Sequence, residues 1–316
     1  MKTTYVVTGG AGFIGSHLAE RLLREGYTVR VVDNLVSGKR ANLKALQALG
    51  GDLSIHEVSA ADAEAMKPIL CGAEVVFHQA ALPSVPRSLN DPLETHLHGA
   101  TATLTVLDVA RRVGVRRVVY AASSSAYGEQ EPDHPKHEDM KPAPISPYGV
   151  AKLVGEYYAQ AFTASFGLET VCLRYFNVFG PRQDPTSLYA AVIPKFIQAM
   201  LRGEAPVIYG DGQQSRDFTY IDNVVHGNLL AADAPQASGQ VVNLATGGRI
   251  NLLNLVDKLN ALLGTNIYPQ FAPPRAGDIL HSQASIEKAG RLLGYEPLVS
   301  FDEGLARTLA WYREQR

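Results

Sequence analysis

Tyr148-Gly149-Val150-Ala151-Lys152 sets a phenol and an ammonium four residues apart, hence on one face of a helix. A free phenol titrates near pH 10 and is a poor base at neutral pH, but a nearby lysine cation stabilises the phenolate. In a chain with 14 tyrosines such a pair arises by chance, so its context decides. Ser146-Pro147 just before it reads as a helix start. Ser123-Ser124-Ser125 follows an apolar run ending at Tyr120, the position where ligands of a parallel sheet bind. A serine hydroxyl beside Tyr148 would hydrogen-bond a reacting hydroxyl and pass or steady its proton.

A second constellation lies near the N-terminus. Thr8-Gly9-Gly10-Ala11-Gly12-Phe13-Ile14-Gly15 sits between an apolar run and a helix-period segment. Glycines there let the backbone turn tightly against a pyrophosphate, whose charge meets free N–H groups and the positive end of a helix dipole. The first step of Gly9-x-x-Gly12-x-x-Gly15 is one residue wider than in the fingerprint of many dehydrogenases. Asp33, 18 residues past Gly15, would accept both hydroxyls of an adenosine ribose and repel a 2'-phosphate. NAD is therefore expected rather than NADP, with Lys39 and Arg40 read as solvated loop charges. Lys152 offers further donors to the nicotinamide ribose.

These groups need a scaffold, and the periodicity supplies one. Tyr5–Val7, 29–32, 74–77, 117–120 and 169–173 are predicted strands rich in apolar and β-branched residues. Between them, Ile14–Arg24 is a predicted helix with Ile14, Leu18 and Leu22 on one face and Gly26 to end it, and further helices are expected near 101–113 and 148–166. Strand and helix in alternation predict an α/β fold: a Rossmann-type doubly wound parallel sheet. After about residue 176, Gly180-Pro181, Gly210-Asp211-Gly212, Gly247-Gly248 and Pro273-Pro274 punctuate shorter, mixed elements. The expected division is a cofactor domain over 1–176, with segments near 216–246 returning to it, and a smaller α/β substrate domain over 177–316.

Composition narrows the partners. With 29 basic and 31 acidic residues and a net charge of −2, no overall field draws nucleic acid or an anionic membrane. No run of about 18 apolar residues is present, and the N-terminus passes straight into a strand, so neither a membrane span nor export is expected. Cys71 and Cys172 have no metal-ligand spacing and are read as reduced core residues in a cytoplasmic protein. His96 with His98 and His134 with His137 do not form His-Glu-x-x-His, so no metal is expected.

Together the glycine turn, Asp33-Asn34, His78-Gln79-Ala80-Ala81, the serines, Tyr148-x-x-x-Lys152 and Arg174-Tyr175-Phe176-Asn177-Val178-Phe179-Gly180-Pro181 resemble the extended short-chain dehydrogenase/reductase family, in particular its UDP-hexose 4-epimerases. The resemblance spans nearly the whole chain. It implies Ser123, Tyr148 and Lys152 as the catalytic set, Ser123 being selected by the family's spacing. Cofactor contacts are implied for Gly9, Gly12, Phe13, Ile14, Gly15, Asp33, Asn34, Gly38, Gln79, Ala80, Ala81, Tyr148, Lys152 and Tyr175. Two departures stand out: Glu57-Val58-Ser59-Ala60-Ala61-Asp62 where an acidic residue often meets the adenine, and His96-Leu97-His98-Gly99-Ala100 where an Asn-rich stretch is usual.

For the substrate, the resemblance implies Ser84, Ser123, Ser124, Asn177, Val192, Tyr209, Arg216, Arg275, Asp278 and Ser282. Arg216 and Arg275 carry guanidinium forks matched to phosphate oxygens. Asp278 is expected at the uridine ribose, Tyr209 beside the uracil and Asn177 at a phosphate. Family dehydratases carry Thr-Asp-Glu where this chain has serines, which points to epimerisation. Ser84-Val85-Pro86-Arg87-Ser88 and His281-Ser282-Gln283-Ala284 look like bacterial epimerases of UDP-N-acetylglucosamine, in which a small residue matching Ser282 leaves room for an N-acetyl group. The implied reaction is inversion at C4 of a UDP-hexose through a 4-keto sugar, in a homodimer paired through the helices near 101–113 and 148–166. A uronate epimerase, a decarboxylase, a dehydratase and a non-catalytic NAD-binding protein remain the alternatives.

Overall fold

The computed structural model describes residues 2–130, 134–185, 191–274 and 280–315. Seven strands form one parallel sheet: β1 (Thr4–Thr8), β2 (Thr28–Val32), β3 (Leu53–His56), β4 (Val75–His78), β5 (Arg117–Ser123), β6 (Glu169–Tyr175) and β7 (Gln240–Leu244). Their spatial order is β7-β6-β5-β4-β1-β2-β3. Parallel neighbours cannot be joined by tight hairpins, so helices cross over each face and bury it.

Two-residue periodicity divides the core. Tyr5 and Val7 of β1 point into one apolar cluster with Leu18 and Leu22. Val6 points into the other with Val76, Val106 and Leu107. Burying a Val or Leu side chain fully contributes roughly 1.5–3 kcal/mol, so each short strand is held by both its faces. Helix α1 (Phe13–Arg24) lies on the first face and α2 (Ala102–Val113) on the second. Helix α3 (Pro147–Phe166) runs beside α2, with Ser146 as its cap and Pro147 in its first turn.

Two of the seven strands lie outside the five predicted from the sequence. Leu53–His56 is an edge strand reading Leu-Ser-Ile-His and only partly buried, because one side has no neighbour. Gln240–Leu244 joins the opposite edge, in register with Val171–Tyr175. It is delivered by α4 (Ile221–Asp233), a helix of the second half that packs against α1. Cys71 corrects the expectation of two core cysteines: it caps the end of the helix Ala63–Leu70 and is exposed, whereas Cys172 is buried in β6.

Beyond β6 the pairing becomes short and local. Val178–Phe179 pairs with Thr219–Tyr220, and Val207–Tyr209 with Gln270–Ala272. Ser215–Arg216 is flanked by Ile250–Asn251 on one side and His281–Ser282 on the other. Asp217 fastens this region internally. Its fully buried carboxylate accepts from Thr246 N at 3.0 Å, Thr246 Oγ1 at 2.7 Å, Gly247 N at 2.9 Å and Ala284 N at 3.3 Å.

Candidate active site

Strand order reverses between β1 and β4, and a crevice opens beyond their C-terminal ends. The glycine turn leaves β1 here. Gly9 adopts φ +68°, and a Cβ on it would lie 2.8 Å from the backbone nitrogen of Ala80, which leaves β4 alongside. A Cβ on Gly15 would lie 2.2 Å from Gly9 O, so α1 packs on the turn only without one. The start of α1 has no side-chain cap and no acidic residue in its first turn. Its leading N–H groups and dipole thus favour an anion.

Asp33 follows β2. Its carboxylate accepts from Ala11 N at 2.9 Å and Leu35 N at 2.8 Å, which fixes it beside the turn with lone pairs remaining. Burial raises its pKa, and the two N–H bonds act against that. Gly38 closes over it, since a Cβ there would come within 2.6 Å of Asp33 Oδ1. Lys39 and Arg40 are both engaged elsewhere, Lys39 with Asp184 at 2.8 Å and Arg40 with Glu57 at 2.5 Å. The cavity here is lined by Gly9, Asp33, Asn34, Ala80 and Ala81, all expected, and also by Ser59 and His98. These features fit a dinucleotide with an unphosphorylated ribose.

The two departures noted in sequence acquire positions. Asp62 caps the helix Ala63–Leu70 by accepting from Ala65 N, so Val58, Ser59 and Ala60 form the wall instead. Leu97–Thr101 is a single π-helical turn leading into α2, and it brings His98 to the cavity. A π turn has no sequence signature comparable to a cap, although such turns gather at functional sites.

The catalytic candidates meet at the end of β5. Ser123 is its last residue, and its Oγ accepts from Ser125 N at 3.2 Å and Ser125 Oγ at 2.8 Å. Tyr148 stands in the first turn of α3, which packs against the turn that follows Ser123. Burial raises the phenol pKa, and the Ser123 hydroxyl acts to lower it. Lys152, one turn on and only 4% exposed, donates to the Ala121 carbonyl at 2.6 Å rather than lying against the phenol. Burial pulls its pKa down to about 8, against an opposing pull from Glu156. Glu156 is itself locked in a buried two-point pair with Arg174, at 2.9 and 2.7 Å.

Gln79, expected at the cofactor, donates to Tyr175 Oη at 3.0 Å and to Asn228 Oδ1 at 3.1 Å. Sequence reading overlooked Asn228, which is brought in by α4 only through tertiary packing. Phe13 and Ile14 form the first turn of α1 beside Gly12.

A second cavity, about 510 Å³, opens among the short strands and is lined by Asn177, Val192, Tyr209 and Arg216. Asn177 has φ +34° and donates to Asp217 O at 3.1 Å. Phe218, of the segment Ser215-Arg216-Asp217-Phe218 that resembles the family's UDP-binding segments, also lines it, as do Lys195 and Gln214, which were not singled out in sequence, where each reads as an ordinary surface residue. Ser282 is 6% exposed and stands opposite Arg216 in register. Ser84 caps the short helix Val85–Asn90, accepting from Arg87 N, while Ser124 opens the turn after Ser123. Arg275 and Asp278 lie outside the described residues.

Known proteins with this architecture are numerous. A UDP-glucose 4-epimerase of Mycolicibacterium smegmatis is 35% identical over 316 residues, 98% of either chain. A UDP-N-acetylglucosamine 4-epimerase of Methanobrevibacter ruminantium, solved with UDP-N-acetylmuramic acid, superposes with TM-score 0.94 at 40% identity over 100% of both chains. The UDP-glucuronic acid 4-epimerase of Bacillus cereus, solved with UDP-glucuronic acid and NAD, gives TM-score 0.92 at 30% identity, covering 99% of this chain and 100% of that one. Residues 5–245 match the NAD dependent epimerase/dehydratase family. With that match over most of its length and these relatives along the whole of it, this chain belongs to the NAD dependent epimerase/dehydratase family.

Proposed function

We propose that the protein inverts C4 of a UDP-hexose, with UDP-N-acetylglucosamine and UDP-N-acetylgalactosamine as the preferred pair. The observation that carries this reading is the placement of Ser123 at the end of β5 against the start of α3, which bears Tyr148 and, one turn along, Lys152, beside the β1/β4 crevice. Hydrogen on C4 of a pyranose is not acidic, so direct deprotonation would not invert that carbon. NAD, when bound, supplies a reversible hydride acceptor. Tyr148 takes the proton of the 4-hydroxyl as C4 becomes a ketone, Ser123 holds that oxygen through its hydroxyl, and Tyr148 returns the proton once hydride has been restored on the opposite face. Lys152, on the same helix face, is assigned to the nicotinamide ribose, which its ammonium donors suit.

Arg216 is assigned to the diphosphate, with Tyr209 and Asn177 around the nucleotide in the second cavity. Ser282, small and opposite Arg216, supports the N-acetylated sugar, as does the likeness to the UDP-N-acetylglucosamine 4-epimerase. Purified protein incubated without added cofactor is expected to convert UDP-N-acetylglucosamine to its galacto epimer faster than UDP-glucose. Ser282→Tyr should reverse that order. No product from either sugar, even after NAD is supplied, would remove the 4-epimerase reading on these substrates and favour a uronate or decarboxylase reaction.

A further inference from the structure

A buried cation unused by the mechanism above stands on the segment that pairs with the continuation of the Ser282 strand. Lys136 is 4% exposed. Its backbone is tied to the segment that continues from Ser282: its N–H donates to Gln283 O at 2.8 Å and its carbonyl accepts from Ser285 N at 2.9 Å. Ser282 in turn lies in register with Arg216. On the opposite side, Lys136 Nζ donates to the Gly128 carbonyl at 3.2 Å and stands 6.0 Å from the centre of the Tyr127 ring. The ammonium is thus held between the loop that begins at Ser123 and the strands bearing Arg216 and Ser282.

Such a position is costly for a lysine. Removing an ammonium from water is unfavourable unless a charge or a full set of acceptors replaces the solvent. Here the ammonium donates to one neutral carbonyl, that of Gly128, and Glu129, the carboxylate that draws the proton on, is exposed. Burial lowers the Lys136 pKa, and the charge of Arg216 lowers it further. An aliphatic side chain would fill the same slot without that penalty. An oxyanion beside the Lys136 ammonium would supply the counter-charge that the Gly128 carbonyl does not.

We propose that Lys136 is an oxyanion-binding residue of the nucleotide-sugar site, acting together with Arg216. The inference rests on the reading of this cleft as a UDP-sugar site. Two parts of such a ligand carry the required chemistry: the β-phosphate common to every UDP-sugar, and the carboxylate of a sugar acid. They are separated by which ligands respond.

Lys136→Gln removes the charge but can still donate to the Gly128 carbonyl. Calorimetric titration of the NAD-loaded protein with UDP, UDP-N-acetylglucosamine and UDP-glucuronic acid is expected to show affinity falling by about tenfold or more, the scale of a lost hydrogen bond to a charged group. Loss for all three ligands assigns the β-phosphate, and loss for UDP-glucuronic acid alone assigns a carboxylate. Affinities within about twofold of wild type for all three overturn the role of Lys136. Arg216→Ala is titrated in parallel: if it weakens UDP while Lys136→Gln does not, only this inference falls, and if neither weakens UDP the reading of the cleft falls with it. Should Lys136→Gln fail to fold, a crystal structure of the wild-type protein with UDP-glucuronic acid decides: Nζ within about 4 Å of a ligand oxygen supports the role, and a longer distance to every ligand oxygen overturns it.

Discussion

Tyr148 and Lys152 share a helix face but have different immediate partners, and their environments make separate predictions. The Ser123 hydroxyl acts on the Tyr148 phenol, and Tyr148→Phe keeps the ring and removes only the proton-carrying oxygen. Turnover should fall by about 10²–10⁴-fold while bound NAD, read by the absorbance of the denatured extract, stays at the wild-type level. Full turnover in that variant would refute the base assignment. Lys152 is buried on a carbonyl, with its pKa drawn from 10.5 to about 8. Between those values the unfolded chain binds more protons than the folded one, so stability rises with pH across the window. The cost of burying this cation is fully present below pH 8 and is relieved above it. In urea melts of NAD-free protein, the stability of wild type relative to Lys152→Met should improve by about 1 kcal/mol between pH 7 and pH 9. A difference independent of pH would show that Lys152 does not titrate there.

At the scale of elements, the cofactor site depends on how closely the β1 turn, the exit of β4 and the first turn of α1 approach one another. Gly15 is the most restrictive contact, because a methyl there would sit 2.2 Å from a backbone oxygen that cannot rotate away. Gly15→Ala should therefore cost about 1–3 kcal/mol and release NAD from the purified protein, seen as a lower thermal midpoint and a lower cofactor content. Retention of NAD at wild-type level would mean that the turn can open without losing its anion site. The glycine spacing and the strand-to-helix junction were legible in sequence because each is local. The π turn that carries His98 was not, since nothing in His96-Leu97-His98-Gly99-Ala100 marks a shift from four- to five-residue hydrogen bonding.

For the molecule as a whole, an exposed apolar face runs across the segments beside α3. Leu89, Leu93 and Leu97 recur at four-residue steps and are 63%, 82% and 48% exposed, with Val150 and Tyr157 of α3 exposed nearby. Exposed apolar residues gathered on neighbouring segments are the kind of surface a second copy would cover, and pairing through this side is the prediction. Light scattering should give twice the chain mass of 34.1 kDa, and Leu93→Glu should shift the population toward the single chain. A wild-type mass equal to one chain at micromolar concentration would count against this pairing. Among the described residues, no helix is long and apolar enough to cross a membrane.

The chain's local patterns by themselves determined the Rossmann-type architecture, the glycine turn, the acidic Asp33 after the second strand and the Tyr148–Lys152 helix. Each depends on hydrogen bonding or side-chain periodicity within a few residues, so composition and spacing express it directly. Only the tertiary structure decided what is assembled from distant segments. It delivered Gln240–Leu244 to the sheet edge, set Asn228 on Gln79 and Tyr175, and turned Lys152 to the Ala121 carbonyl. It also buried Lys136 between the Ser123 loop and the strand pair of Arg216 and Ser282. Those placements arise from burial and long-range pairing, in which a residue's partner is chosen by packing rather than by its neighbours in the chain.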